Sequence, residues 1–399
     1  ILIYLYLPIR ANSNPEINWG NPLNFENFWR HFTGKQYQVW LFSSIDSAKK
    51  QLGYFIQNLP AEFAYFPLII AFIGAFYLHK RNKVILYAVL ATFIFGTLYS
   101  INYDIVDIDS YFLLPYFMVA ILCAFGYRQI MNSLSKNIAN NFITGLIIIG
   151  LSIVPLIVNF SRANQSDKYI FEDYTKSVLN SVDSNSVIFT YQWDYLISPS
   201  YYFQFVENYR SDVVVIDKEL LRRSWYYNQL VRNYPDVMKK IRTEMNNFLE
   251  AIKPFERDEN YNPVVLERTY REVMTNLVKN NISNRSYYIG IELLQNEMQK
   301  GDFALPTGYS LVPDLLMFKV VQSNDYVPAQ SPDFVLRFPK HRDKYSNFIE
   351  NAVGSMMISR AYYELQFGYK ERAKNYLNKI ITDLRNVQIP QDLYQQVFQ

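Results

Sequence analysis

The sequence predicts a bundle of transmembrane α-helices, followed by a water-soluble α/β domain and a C-terminal hairpin of two helices. Three observations lead to this fold class. Four long apolar runs lie within the first 160 of 399 residues, and no such run follows them. Short runs of Val, Ile and Phe then alternate with helical patterns, which is typical of a parallel sheet covered by helices. The last part of the chain has the apolar spacing of two amphipathic helices.

We assign residues 1–160 to a transmembrane region with outer loops. Each apolar run is close to the ~20 residues that a helix needs to cross a bilayer. The predicted spans are about 61–78, 84–99, 111–127 and 142–160. The second run is short enough for a buried core helix, but its position between other runs favours a span. Residues 1–8 are apolar, too short to cross a bilayer and without the charged start of a signal peptide, which predicts the end of a truncated span.

The charges of the loops predict the orientation of these spans. Two connections are basic and contain no acid: one has His79, Lys80, Arg81 and Lys83, and the other has Arg128 and Lys136. The connection between the second and third runs is acidic and contains no base: it has Asp104, Asp107 and Asp109. Basic loops remain in the cytoplasm. We therefore expect a multi-pass protein of the inner (cytoplasmic) membrane, with residues 9–60, 101–110 and the whole C-terminal domain on the periplasmic or other extracytoplasmic side.

The long outer loop carries bases against this trend, although loops of that length follow the rule only loosely. Segments 24–32 and 44–59 have helical apolar spacing, which predicts short helices on the membrane surface. The aromatic residues of this region suit a belt at the interface between lipid and water, where we expect them to act as structural anchors. They are Trp19, Trp29, Tyr37 and Trp40.

Residues 161–326 are predicted to form an extracytoplasmic α/β domain. A helix over 169–182 precedes two apolar strands, 186–190 and 212–216, that flank a helix over 198–208. The later elements are a long polar helical stretch over 234–280, a strand over 286–291, and a hairpin of 309–312 with 315–321 that turns at Pro313-Asp314.

Residues 327–399 contain a Pro-rich linker and two helices, 345–367 and 370–385. Small and apolar residues such as Ala361, Gly368 and Ala373 make this pair tetratricopeptide-like, and plain helix packing explains the pattern equally well. One such repeat cannot bury its own apolar face. Either the repeats continue past Gln399, or the hairpin packs on the α/β domain; these helices are also where we expect protein partners to bind.

Composition excludes several classes of function. Of 39 Lys and Arg and 36 Asp and Glu, 10 and 7 precede residue 161, which leaves 29 of each in the soluble part. A neutral domain lacks the basic stripe of a nucleic-acid-binding protein. No glycine-rich phosphate-binding turn is present, the three histidines are far apart, and the single cysteine, Cys123, cannot form an intrachain disulfide. We therefore predict no nucleic-acid partner, no metal site and no cofactor.

Two groups of charged residues are candidates for binding. The carboxylates Asp107 and Asp109 lie at the predicted outer surface, where they form either a functional site or a solvated loop. Arg10 and Lys35 are bases held on the outer side; they either bind an anion such as a lipid phosphate or extend towards lipid headgroups. Asp194 follows the first strand, where open α/β sheets place ligands, but the simpler role is to cap the next helix.

Several segments share a distinctive mix of Asn, Trp, Gly, Pro and Tyr. They are Tyr4-Leu5-Tyr6-Leu7-Pro8-Ile9-Arg10, Asn14-Pro15, Asn18-Trp19-Gly20-Asn21-Pro22, Phe28-Trp29, Gly34-Lys35-Gln36-Tyr37, residues 104–115 (DIVDIDSYFLLP), Val187-Ile188-Phe189-Thr190, Asp194, Asp212-Val213 and Trp225-Tyr226. Together they resemble the bacterial family of large membrane proteins described as protein O-mannosyltransferase-like, long carried as a domain of unknown function.

This resemblance implies a polytopic glycosyltransferase that takes a sugar from a polyprenyl-phosphate carrier, so membrane lipid and a lipid-linked sugar phosphate are the expected partners. It also implies that the acidic catalytic residue lies in a first outer loop upstream of Ile1, so no residue of this chain is assigned as catalytic. The expected chemistry is glycosyl transfer with a carboxylate as general base. The alternative is a non-enzymatic envelope protein that binds protein partners. A transporter is disfavoured, because the predicted spans carry no charge at mid-membrane.

Overall fold

The computed structural model describes residues 2–105, 107–137, 141–322 and 324–399. The chain divides into two compact units, one formed by residues 29–165 and the other by residues 1–28 together with 166–399. We call them the apolar-helix unit and the α/β unit.

Helices dominate the first part of the chain. Their bounds are α1 Tyr6–Asn12, α2 Phe25–Phe32, α3 Ile45–Glu62, α4 Pro67–Arg81, α5 Lys83–Ser100, α6 Leu113–Asn137 and α7 Asn141–Ala163. Single turns of 3₁₀-helix lie at Leu2–Leu5, Lys35–Trp40 and Ile108–Phe112.

Within the described residues, two helical segments are long and apolar enough to cross a membrane. They are Lys83–Ser100 and the continuous stretch Ile108–Leu134. Ile148–Ala163 is a shorter apolar helix among the described residues. Large apolar side chains such as Phe72, Phe95 and Leu113 are exposed on the outside of this unit, which suits contact with lipid.

The helix that corresponds to the first predicted span begins at Pro67 rather than near residue 61. α3 and α4 are bent by 97° at residues 63–66, so that together they resemble a broken span. Ala64 and Tyr65 adopt positive φ angles at the break. These left-handed residues follow the end of α3 at Glu62, and Pro67 suits the first turn of α4 because its ring fixes a helical φ angle and a first-turn residue needs no N–H donor.

Small residues allow α4 and α6 to pack closely. A Cβ atom on Gly74 would overlap the backbone of Leu122 and Gly126, and a Cβ on Gly126 would overlap the backbone of Ile70. Cys123 lies in the same interface, where its thiol donates a hydrogen bond to the carbonyl of Pro67 (3.2 Å). Small residues are the usual means by which membrane helices approach each other.

The α/β unit contains a five-stranded mixed sheet among the described residues. Its strands are β1 Val187–Thr190, β2 Val214–Asp217, β3 Tyr287–Ile289, β4 Ser310–Asp314 and β5 Met317–Val321. Their order is β2-β1-β3-β5-β4. β1 pairs in parallel with β2 and β3, as the sequence predicts for the first two, and β5 is antiparallel to both β3 and β4.

The helices of this unit cover both faces of the sheet. Their bounds are α8 Ile170–Ser181, α9 Ser198–Phe205, α10 Ser224–Asn233, α11 Pro235–Lys239, α12 Arg242–Glu256, α13 Pro263–Asn281, α14 Ile291–Leu293, α15 Lys344–Gln366, α16 Lys370–Asp383 and α17 Gln391–Phe398. Within the predicted helical stretch 234–280 the chain forms three helices, α11, α12 and α13, and prolines occupy the first positions of α11 (Pro235) and α13 (Pro263).

Side chains of β1 alternate between two separate cores. Ile188 contributes to a core with α8, α9 and the C-terminal helices, whereas Val187 and Phe189 belong to a core with α10–α13. This three-layer arrangement explains why the central strands are apolar at every position.

The hairpin turn lies at Leu315-Leu316, so the predicted turn at Pro313-Asp314 is wrong. Both of those residues belong to β4, which is an edge strand and can therefore accept a proline. Leu315 instead adopts the positive φ angle (56°) that a two-residue turn requires.

The C-terminal helix hairpin packs on the α/β sheet, which was one of the two predicted alternatives. Val353 and Met357 of α15 and Ala373 of α16 share a core with Ile188 of β1. Gly368 ends α15 with a φ angle of 82°, and the N–H groups that follow it return to the last carbonyls of the helix. α17, which the sequence did not predict, completes this layer through Leu393 and Val397.

Part of the N-terminal segment also belongs to the α/β unit. The ring centroid of Trp19 lies 5.0 Å from those of Trp193 and Trp225. Arg232 donates hydrogen bonds to the carbonyls of Pro15 (2.6 Å) and Glu16 (3.0 Å). The ring of Trp19 therefore packs against two indoles of the α/β unit, as a structural anchor would, and its place in an interfacial belt stays a prediction.

Candidate functional site

The carboxyl ends of β1 and β3 form the natural ligand position of this sheet. After β1 the chain enters the core of α8 and α9 through Tyr195 and Ile197, whereas after β3 it enters the opposite core through Leu293. β1 and β3 are adjacent parallel strands, and the segments that follow them turn to opposite faces of the sheet. A crevice therefore lies between the two strand ends. Open α/β sheets bind their ligands at such a switch point.

A cleft of about 470 Å³ lies at this position, and we call it the edge cleft. Its polar side chains are Gln192, Gln295, Asn296, Asn351 and Ser355. Gln192 follows β1, Gln295 and Asn296 follow β3, and the other two belong to α15. The edge cleft is thus formed by both switch-point connections and by the C-terminal helix hairpin.

The aromatic side chains of the edge cleft come from the same elements. Tyr195 is mostly buried, whereas Phe348 on α15 exposes 48% of its surface. An exposed aromatic ring beside amide groups provides a flat apolar surface next to hydrogen-bonding groups.

Glu292 is the carboxyl group of the edge cleft and is only 8% exposed. The hydroxyl of Thr190, the last residue of β1, donates to Oε1 of Glu292, and the backbone N–H of Tyr191 approaches the same oxygen (3.4 Å). Burial raises the pKa of Glu292, and the hydrogen bond from Thr190 partly opposes this effect. A Cβ on Gly290 would overlap the carboxylate, so glycine makes room for it.

The charged residues at the end of β2 already have hydrogen-bonding partners within the α/β unit. Lys218 is 4% exposed, and its ammonium group donates to Glu219 (2.6 Å) and Glu297 (2.9 Å). Asp217 accepts hydrogen bonds from the N–H groups of Glu219 (2.7 Å) and Leu220 (3.2 Å). Burial nevertheless raises the pKa of Asp217 to about 7. These groups support the local backbone.

In the apolar-helix unit, the acidic loop 101–109 is attached to the end of the 3₁₀-helix Lys35–Trp40. Leu41 and Tyr103 form an isolated antiparallel β-bridge. The N–H of Phe42 donates to the carbonyl of Asn102 (2.9 Å), and the N–H of Asp104 donates to the carbonyl of Trp40 (3.0 Å). We call these two joined segments the loop cluster.

The loop cluster is also fixed to α3. Gln51 donates to the carbonyl of Ile105 (3.0 Å), and the hydroxyl of Tyr54 donates to Asp109 (2.6 Å). The Tyr99 and Tyr103 hydroxyls are 3.0 Å apart, and the ring centroids of Tyr103 and Tyr111 are 4.7 Å apart. Carboxylates and aromatic rings therefore lie together at one end of α5 and α6.

The predicted binding residues fall in both units. Lys35 begins the 3₁₀-helix of the loop cluster, Asp107 precedes the next 3₁₀-helix, and Asp109 lies on it. The structure thus joins the segments that carry these three residues. Arg10 belongs to the α/β unit, where it lies on α1 and donates to the hydroxyl of Ser13 (3.2 Å).

Asp194 does not have the capping role that the sequence favours. It lies on a turn of π-helix, Trp193–Ile197, that has no side-chain cap. Burial raises the pKa of Asp194, and a hydrogen bond that the carboxylate accepts from the side chain of Tyr345 opposes this effect.

Glu292 and the amides around it are not among the residues that the sequence pattern predicted. The predicted strand over 286–291 included Gly290 and Ile291, whereas β3 ends at Ile289. A glycine directly after an apolar strand, followed two residues later by a carboxylate, was the available signal. No group of three or more His, Cys, Asp or Glu within the described ranges could hold a metal ion.

Comparison with known proteins gives a domain match and two distant relatives. Residues 171–325 match the family described as TMEM260-associated domain 2. The chain is 22% identical over 259 residues to Protein O-mannosyl-transferase tmem260 of Dictyostelium discoideum. This match covers 56% of the present chain and 32% of the Dictyostelium protein. It is 20% identical over 264 residues to Protein O-mannosyl-transferase TMEM260 of Mus musculus. This match covers 59% of the present chain and 36% of the mouse protein.

The chain spans about a third of the length of these curated relatives. No solved structure matches it. The relatives and the apolar helices together support membrane association. The matched domain and the two relatives support the resemblance of this chain to an O-mannosyltransferase-like family.

Proposed function

We propose that this chain is part of a membrane glycosyltransferase that transfers a sugar from a polyprenyl-phosphate carrier to an acceptor on the non-cytoplasmic face. The observation that carries the proposal is the similarity to proteins named O-mannosyl-transferases in a chain that also has membrane-length apolar helices. A lipid-linked donor requires an enzyme that reaches the membrane surface, and this chain has helices suited to that place.

The loop cluster is the proposed contact for the donor. It carries Lys35 and two carboxylates, Asp107 and Asp109, on segments joined by backbone hydrogen bonds. Lysine provides a positive charge for a carrier phosphate, and a carboxylate accepts hydrogen bonds from sugar hydroxyls. Arg10 is a further proposed phosphate ligand, since a planar guanidinium can hold two phosphate oxygens at once.

The α/β unit is the proposed recognition module for the acceptor. Its edge cleft lies at the switch point of a sheet with parallel central strands, and its lining combines polar and aromatic side chains. The proposed reaction needs a carboxylate general base towards the acceptor hydroxyl. No residue of this chain is assigned as that base.

Variants of the complete protein in membranes test the donor side. Arg10→Lys should weaken binding of the lipid-linked sugar although the charge is kept, because the forked contact is lost. Lys35→Gln should also weaken binding, and Asp109→Asn should reduce turnover more than binding. The matched controls are Lys50→Gln and Asp46→Asn, exposed residues outside the loop cluster, which should behave as wild type. Wild-type binding and turnover in all three site variants would contradict the assignment.

A further inference from the structure

We propose that the edge cleft is a binding site for one uncharged hexose unit of a glycan. This inference deepens the proposed function and rests on it in one respect, namely that the α/β unit recognises the acceptor. The ligand class follows from the chemistry of the cleft, as the next observations explain.

The polar lining matches the hydrogen-bonding pattern of sugars. Each hydroxyl of a pyranose both donates and accepts, and an amide side chain offers two donors and an acceptor. Four amides line the edge cleft: they are Gln192, Gln295, Asn296 and Asn351. Asn296 is already positioned, because its amide donates to the hydroxyl of Tyr191. Gln295 and Asn351 are exposed, so their groups are accessible to a ligand.

A pyranose also has a face of C–H groups, which packs against aromatic rings. Phe348 offers such a ring at the edge cleft, and its exposed surface is large for a phenylalanine in a soluble unit. Tyr195, which follows β1, is a second aromatic residue of the lining. Contact of the C–H face with these rings removes apolar surface from water, which favours binding.

The charges of the cleft favour a neutral sugar over a phosphorylated one. Glu292 is the charged residue in its lining, and no Lys or Arg of the described chain lines it. Lys218, at the end of the neighbouring strand, is already paired with Glu219 and Glu297. A phosphate in the cleft would therefore meet a carboxyl group without a compensating cation, whereas sugar hydroxyls can donate to that group.

The size of the cleft is also suitable. Its volume of about 470 Å³ falls in the range of small-molecule sites, which runs from about 300 to 1,000 Å³. A hexose would fill part of it and leave space for the group to which the sugar is linked. The sugar can come from a free glycoside or from a glycosylated peptide, and the experiment includes both sources.

Binding is tested by saturation-transfer NMR with the full chain in lipid nanodiscs, which avoid the sugar headgroups of many detergents. The probes are methyl α-D-mannopyranoside, an O-mannosylated threonine peptide, the same peptide without sugar, and mannose 1-phosphate. We expect signals from the first two probes and weaker or absent signals from the other two. Gln295→Ala and Asn351→Ala should each weaken binding by about two- to tenfold, the usual effect of one lost neutral hydrogen bond.

Asn375→Ala is the matched control, because this exposed amide lies on α16 and does not line the cleft. It should bind as wild type. The inference is overturned if neither sugar probe binds, if the cleft variants bind as wild type, or if mannose 1-phosphate or the bare peptide binds more tightly than the mannoside.

Sugar transfer by the complete protein is measured separately. Binding of the mannoside without transfer would contradict the proposed function and leave the cleft assignment supported. Transfer without binding of either sugar probe would contradict the cleft assignment alone.

Discussion

Glu292 shows how a single buried carboxyl group is accommodated at the end of a parallel sheet. Burial of an ionisable group is costly unless hydrogen bonds compensate for the lost water. Here the hydroxyl of Thr190 donates to it from the neighbouring strand, and Gly290 leaves the space that a side chain would occupy. Strand end, glycine and carboxyl group therefore form one local unit.

Asp217, at the end of β2, makes the stability of the protein depend on pH. Burial raises its pKa to about 7, whereas an aspartate in an unfolded chain has a pKa of about 3.9. Between these values the folded state holds the proton more tightly, so this contribution to stability is complete below about pH 4 and is lost as the pH rises towards 7. Asp217→Asn removes the titration, and its side-chain oxygen can still accept from the N–H of Glu219.

We therefore expect the thermal unfolding midpoint of Asp217→Asn to increase relative to wild type as the pH rises from about 4 to 7. Midpoints of both proteins in nanodiscs, measured over this range, provide the comparison. A difference between the two that does not change with pH would show that Asp217 does not titrate in this way.

At single residues, the folded structure shows contacts that the sequence did not indicate. Asp194 drew attention as the carboxylate after β1, but the buried carboxyl group of the cleft is Glu292, which follows β3. Trp19, which was expected at the membrane interface, packs its ring against those of Trp193 and Trp225. In both cases the contacts join residues far apart in the sequence, and such contacts leave no local pattern.

At the scale of elements, apolar periodicity identified most helices and strands, and their ends depended on tertiary contacts. The strands 187–190 and 214–217 lie within one or two residues of the predicted runs. In α15, Arg360 and Glu364 would normally be interpreted as a solvent-exposed pair one turn apart. Both are fully buried, and Arg360 also donates to the carbonyls of Pro313 (2.7 Å) and Val327 (2.8 Å). This pair joins α15 to β4 and to the linker.

The close contact of α4 and α6 leads to a prediction about stability. Gly74→Ala should destabilise the apolar-helix unit, because the added methyl group would overlap the backbone of Leu122. Overpacking of this kind costs about 1–3 kcal/mol. The expected result is a lower thermal unfolding midpoint of the protein in nanodiscs, although alanine is the better helix former.

Gly150→Ala on α7 is the matched control. A Cβ at that position meets no atom within 4 Å, so this variant should unfold at the wild-type temperature or slightly above it. Equal midpoints for Gly74→Ala and Gly150→Ala would mean that α4 and α6 do not pack as closely as described.

At the scale of the whole molecule, the chain combines an apolar-helix unit with an α/β unit. Composition alone located the change near residue 160, because apolar runs end there and charged residues become frequent. It could not show that residues 1–28 belong with the α/β unit, since that grouping depends on contacts such as Asn18 with Gln229. The similarity to proteins named O-mannosyl-transferases supports the proposed reaction class, which no single residue pattern specified.

The central claim is that the complete protein transfers a sugar from a polyprenyl-phosphate carrier to an acceptor hydroxyl. The direct measurement uses the purified complete protein in liposomes with radiolabelled polyprenyl-phosphate mannose and a folded acceptor protein. Mass spectrometry then locates the attached hexose. We predict time-dependent transfer of label to serine or threonine side chains, which stops when the carrier lipid is omitted. Binding of the carrier lipid without any labelled acceptor, in a preparation that retains its fold, would contradict the claim.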